Sequence, residues 1–250
     1  MNSMPSVSSE LSRLLKKMGC PDGVKPFDRN QIAAEKRQAE ITAAAEHQKR
    51  VVEKLMGASG INTHFLECSF DNYVIDTEEQ RRAVDVAKRY VDKFEELLSG
   101  GKGFLFLGTP GTGKNHLASA MANALMSKRY SVVVISVMDL FARLRMSYSD
   151  NSLTEEKLIA EFMKPQLLVI DELGLQRGSA DEVLWLTRII DKRLYGRRPT
   201  GFITNLNQQG LHELLGERAY QRVQDAVSVA VPFNWPSYRG RKRYGTQADQ

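Results

Sequence analysis

The run Gly108-Thr109-Pro110-Gly111-Thr112-Gly113-Lys114-Asn115 follows the apolar stretch Phe104-Leu105-Phe106-Leu107 and opens a helical pattern through Leu117, Met121, Ala124 and Leu125. Glycines in such a loop let backbone amides converge on the β and γ phosphates of a nucleotide. The helix N-terminus adds partial positive charge and Lys114 a full one. Asn115 stands where a Ser or Thr hydroxyl ordinarily ligates magnesium. An amide oxygen also ligates that ion, so coordination is expected to survive with altered geometry, which leaves the rate of hydrolysis open. His116 comes next, at a position from which it either touches nucleotide or packs in the helix.

Leu167-Leu168-Val169-Ile170-Asp171-Glu172 is an apolar strand ending in two acids. Alone such a run is common; downstream of the loop it reads as a second nucleotide motif. Asp171 would hold magnesium through its water shell, and Glu172 would orient and deprotonate an attacking water. Phe202-Ile203-Thr204-Asn205 is another apolar strand with a polar end, expected between the two motif strands, with Asn205 as sensor of the γ-phosphate. Asn207 is the rival sensor, or the cap of the next helix. Arg218 and Arg222 lie four residues apart, on one face of a short helix. Arginines so placed can reach a neighbouring subunit's nucleotide, where they stabilise transition-state charge and couple hydrolysis to assembly. Arg239 ends Trp235-Pro236-Ser237-Tyr238-Arg239 and is the candidate for the phosphates of its own subunit. His47, His64 and His212 lack metal-ligand spacing.

These residues need a scaffold. Apolar β-type runs at Gly103 to Leu107, Val132 to Ser136, Leu167 to Asp171, Gly201 to Thr204 and Val227 to Val231 alternate with helical segments. Alternation of this kind predicts a parallel sheet with helices on both faces, an α/β fold. Thr77 and Gln80 have capping-box spacing, which predicts a helix running to Leu98 and stopped by Ser99-Gly100-Gly101. Upstream, Ser8 to Met18 reads as a short amphipathic helix, and Asn30 to Met56, free of Gly and Pro, as one long helix with Gly57 as its cap. The expected organisation is a small all-α domain over 1–60, a linker over 61–76 and the α/β domain over 77–250.

Composition sets the outer bounds. A chain of 250 residues with 42% hydrophobic and 26% charged residues is ordinary globular material. It lacks an apolar run of the roughly 18 residues a bilayer span requires, so no membrane is expected. The polar start, Asn2, Ser3, Ser6, Ser8 and Ser9, has no apolar core of a signal peptide, and Cys20 and Cys68 suit a reducing compartment. A cytoplasmic location is expected. Net charge is +5, much of it in the tail carrying Arg239, Arg241, Lys242 and Arg243 against Asp249.

The motifs together resemble the DnaC-type replicative helicase loaders of the AAA+ superfamily. The matching segments are Cys68-Ser69-Phe70-Asp71-Asn72-Tyr73, Gly108 to Ala118, Leu167 to Glu172, Arg198-Pro199-Thr200-Gly201, Leu214 to Arg218 and Phe233 to Arg239. The pair Asn115-His116 is similar to that family's own loop. The resemblance implies ATP and Mg2+ as cofactors, held by Gly108 through His116, with Asn115 and Asp171 at the metal. It makes Lys114 the phosphate lysine, Glu172 the hydrolytic acid, Asn205 the first sensor, Arg239 the second, Arg222 the trans-acting finger and Arg218 its alternate. It further implies a hexameric replicative helicase docked by residues 1 to about 60, single-stranded DNA in a spiral of ATPase domains, and weak, DNA-stimulated ATP hydrolysis. Phe141, Arg143, Arg145 and Tyr148, or the segment Gly174 to Ser179, are its candidate DNA contacts. With eleven residues after Arg239, a short or absent helical lid is expected. Alternatives are an IstB-type transposition helper, which would bind duplex DNA and a transposase, and a nucleotide-switched adaptor without efficient hydrolysis.

Overall fold

The computed structural model describes Lys17 and residues 67–148, 153–175 and 179–238. All but Lys17 belong to one compact unit, Ala45–Gln250. Apart from Lys17, the domain expected over 1–60 with its helix over Asn30 to Met56, and likewise Arg239 with the basic residues after it and the question of a lid, lie outside the described residues.

Helix α1, Glu78–Asp92, starts on the expected capping box. Gln80 N–H donates to Thr77 Oγ1 at 3.3 Å and Thr77 N–H to Gln80 Oε1 at 3.0 Å, satisfying two helix-end amides reciprocally. The helix expected to run unbroken to Leu98 is interrupted at Lys93. Helix α2, Phe94–Gly100, completes it and stops on Gly101, whose φ is 68°. A side chain at Gly101 would meet the Arg197 backbone at 2.8 Å, so close approach and left-handed geometry both demand glycine there.

From there strands and helices alternate: β1 Gly103–Gly108, α3 Lys114–Ser127, β2 Val132–Ser136, α4 Val137–Arg145, a 3-10 turn at Met146–Tyr148, α5 Glu155–Phe162, β3 Leu167–Leu173, α6 Ala180–Tyr195, β4 Thr200–Thr204, α7 Gln208–Ala226 and β5 Val227–Phe233. The five strands pair in parallel in the order β2-β3-β4-β1-β5. A parallel sheet puts all strand C-termini on one edge, so the loop after β1, the acids of β3 and the polar end of β4 meet there. As expected, β4 lies between the two motif strands.

Alternation along the strands builds a core on each face. Leu105 and Leu107 of β1 join Ile135, Ile170 and Phe202 beneath α4, α5, α6 and α7. Phe104 and Phe106 point the other way, with Val169, Ile203 and Phe233, against α1 and α3. At the far, N-terminal edge of the sheet the Arg193 guanidinium is fully buried. It donates to the carbonyls of Phe162, Pro165, Gln166 and Pro199 and to Thr200 Oγ1, tying together the loops that precede β3 and β4.

Candidate nucleotide-binding site

The loop between β1 and α3 turns through left-handed conformations at Gly108, Gly111 and Gly113, with φ of 124°, 76° and 93°. Gly113 caps α3, so the free amides of the first helical turn open onto the loop. Lys114 lies over this loop and donates from Nζ to Gly108 O at 2.8 Å and Thr109 O at 2.6 Å. Burial brings its ammonium down to about 8, against the opposing pull of the Asp171 charge.

Loop and acids are joined directly. Asn115 Nδ2 donates to Asp171 Oδ2 at 2.5 Å, while Asp171 Oδ1 accepts from the Glu172 N–H at 2.6 Å. Burial raises the Asp171 carboxyl to about 6, opposed by that backbone bond and by Lys114. Between Ile170 and Leu173 the pairing of β3 with β4 slips by one residue, and Glu172 takes φ 58° in this irregularity. A bulge re-aims side chains; here Asp171 stays buried and Glu172 stands exposed beside it. A left-handed glutamate stores a modest strain, which the strand end tolerates.

Asn205 is exposed at the C-terminal end of β4, on the same sheet edge. Asn207 is the helix cap, its Oδ1 accepting from Gly210 N–H at 2.8 Å. Buried Thr204 ties the neighbouring strand ends together, donating to Leu173 O and accepting from Leu206 N–H. On α7, kinked at Gly216, the two arginines differ. Arg222 is ion-paired with Asp191 at 2.8 Å and Asp225 at 3.2 Å, whereas Arg218 is exposed and has no polar partner among the described residues.

Residues 67–76, expected as linker, instead belong to the α/β unit. Cys68 and Tyr73 are buried, Asn123 Nδ2 donates to Cys68 O, and Tyr73 OH donates to Thr112 O in the loop. The Asn72 amide is oriented by Ser69 N–H on Oδ1 and by Glu67 O on Nδ2, so the His116 ring, 2.8 Å from Oδ1, must donate from Nε2. His116 therefore holds this segment against the start of α3. From the other end of the chain, Trp235 Nε1 also donates to Thr112 O. Sequence reasoning quoted both segments yet gave Tyr73 and Trp235 no role, because nothing in spacing marks contacts made across the whole domain. Of the candidate DNA contacts, Phe141 is fully buried core, and Arg143 and Arg145 pair with Glu161 and Glu182. Tyr148 remains exposed, its ring 5.7 Å from Trp185. Part of the Gly174 to Ser179 segment lies outside the described residues.

A family model described as IstB-like ATP binding protein matches residues 37–240. The replicative helicase loader DnaC of Escherichia coli K12 is 37% identical over 244 residues, spanning 95% of this chain and 98% of that one. The chain belongs to the DnaC-type helicase-loader family. A second relative, the uncharacterized Escherichia coli protein YdaV, is 40% identical over 84% of this chain and 82% of its own length. The crystal structure of the DnaC helicase loader superposes with a TM-score of 0.61 at 25% identity, covering 68% of this chain and 99% of that one. DnaI, at 23% identity and a TM-score of 0.59, shares the fold. No helix among the described residues is long and apolar enough to cross a membrane.

Proposed function

We propose that this protein is an ATP-switched loader that docks a ring-shaped hexameric replicative helicase through residues 1–60 and places it on single-stranded DNA in the cytoplasm. The observation that carries the proposal is the extent of the DnaC identity. Coverage of 95% of the chain reaches far beyond the ATP-binding domain into the N-terminal residues.

The site fits a nucleoside triphosphate with magnesium. Left-handed glycines shape the cradle, a buried ammonium covers it, and a buried carboxylate is held against it by Asn115. Lys114 would exchange its two loop carbonyls for β- and γ-phosphate oxygens, and Asn115 and Asp171 would hold the metal. Bound there, magnesium supplies charge neutralisation for the leaving phosphates. Glu172, exposed at the bulge, would take the proton of the attacking water, with Asn205 orienting the γ-phosphate from the adjacent strand. Arg218 or Arg222 would cross to the next subunit in a spiral, coupling a weak, DNA-stimulated hydrolysis to loader release, and Arg239 would act on its own subunit's phosphates.

The IstB-like family description favours one second reading, a transposition helper. Light scattering after size exclusion separates the two. In ATP, the full chain should form a stable complex with the host's replicative helicase, and a chain lacking residues 1–60 should not. Failure of the full chain to bind the helicase, with retention of duplex DNA and a transposase, would replace the loader reading with the helper.

A further inference from the structure

The carbonyl oxygen of Thr112 receives two donors from opposite ends of the domain. Trp235 Nε1 donates at 2.9 Å and Tyr73 OH at 3.3 Å. One residue earlier, Gly111 O accepts from the Tyr238 N–H at 2.8 Å. Tyr73 and Trp235 are 8% and 7% exposed, so neither bond competes with bulk water. A planar trans peptide unit points its C=O and its N–H in opposite directions. Pinning the Gly111 carbonyl therefore aims the Thr112 N–H away from the bracing residues, and pinning the Thr112 carbonyl does the same for the Gly113 N–H. These are amides of the kind a phosphate loop must turn toward its ligand. The fit is close: a Cβ on Gly113 would lie 2.8 Å from the Tyr73 hydroxyl oxygen.

We propose that Tyr73 and Trp235 are positioning residues that set the affinity for the nucleotide's phosphates by locking the 112–113 peptide from behind. The proposal rests on the nucleotide reading of the loop. Neither residue contacts phosphate in this arrangement; each acts through the peptide unit. An unpinned peptide must be reoriented on binding, and that cost subtracts from affinity. Because both donors share one acceptor, either holds the carbonyl when the other is lost, and removing both costs at least the product of the single losses.

The test uses the full chain and the variants Tyr73→Phe, Trp235→Phe and the pair, with Tyr90→Phe as control. Tyr90 is also buried and donates to a backbone carbonyl, that of Lys102, away from the loop. Fluorescent ADP and ATP are titrated, and melting is followed without nucleotide. Each single variant is expected to weaken both nucleotides by about 2- to 5-fold and the pair by about 30-fold. Tyr90→Phe should lower the melting temperature about as much as Tyr73→Phe while leaving affinity unchanged. If Trp235→Phe does not fold, Tyr73→Phe against Tyr90→Phe decides. Binding by the pair within about 2-fold of the parent, or an equal affinity loss in Tyr90→Phe, overturns the proposal. A parent chain that binds neither nucleotide would instead sink the nucleotide reading, so the two failures are distinguishable.

Discussion

Asn115 Nδ2 lies 2.5 Å from Asp171 Oδ2, joining the first residues of α3 to the end of β3. A shorter hydroxyl at position 115 would have to reach the same carboxylate from farther back. The asparagine bridges the gap as a donor and leaves its own carbonyl oxygen available for a cation.

Asn115→Asp should turn this bond into a repulsion. A second carboxylate beside Asp171 drives the Asp171 proton affinity further up. Phosphate release at neutral pH is expected to fall by about 10-fold or more, with partial recovery at raised pH and magnesium. Asn115→Thr removes the amide donor without adding charge and should lose less. Rate-versus-pH curves for both variants check this.

Ionisation sets a window for the parent chain. Asp171 must be charged to hold magnesium, so nucleotide binding with magnesium should rise as pH passes about 6. Lys114 must keep its proton to hold phosphate, so binding by the free protein should decline above about 8. Stability runs the other way. A carboxyl raised above its unfolded value binds protons more tightly when folded, so its contribution is present below pH 4 and lost as pH climbs to about 6. A lysine lowered below its unfolded value gives stability that returns between about 8 and 10.5. Melting curves and nucleotide titrations across pH should therefore move in opposite directions.

Glu172→Gln keeps the size and backbone of the exposed acid and removes its basicity. Nucleotide affinity is expected to stay within about 2-fold while phosphate release falls by about 100-fold or more. Equal losses in both would remove Glu172 from the chemistry.

The two arginines of α7 separate by their partners. Arg222→Ala strands Asp191 and Asp225 and should lower stability by about 1 kcal/mol, visible as a shift in melting. Arg218→Ala breaks no polar bond among the described residues, so its melting should match the parent. If Arg218 is the residue that crosses to a neighbour, only assembly-stimulated phosphate release will fall in that variant. Mixing either variant with Lys114→Ala subunits reads which side of the interface each serves.

Arg193→Met takes the guanidinium donors from four carbonyls at the sheet edge remote from the phosphate loop, leaving Pro199 O only the Leu168 N–H. A loss of about 3 to 5 kcal/mol is expected, measured by denaturant unfolding. Nucleotide affinity of the remaining folded fraction should not change.

The chemistry-bearing strands and the capping box at Thr77 were legible because each is written in local spacing, whereas the place of β4 was expected from the pairing of the two nucleotide motifs. Continuous apolar runs, glycine-rich turns and terminal acids declare themselves over a few residues. The break at Lys93 was not legible, since no Gly or Pro marks it. Nor was the role of residues 67–76: Tyr73 and His116 act through contacts with residues 39 and 44 positions away, which no periodicity encodes. The ion pairs of Arg143 and Arg145 were hidden for the same reason, because their acidic partners sit on other helices.

The two bonds from Lys114 Nζ to Gly108 and Thr109 oxygens carry a consequence for ligand choice. Whatever enters the loop competes with carbonyls that already solvate the ammonium, so binding is an exchange reaction. A single weak acceptor, such as the hydroxyl of a bare nucleoside, returns less than the lysine gives up. A polyphosphate returns more, in charge and in number of oxygens. A phosphate loop satisfied in this way would act as a threshold filter, rejecting unphosphorylated look-alikes through its own internal bonds.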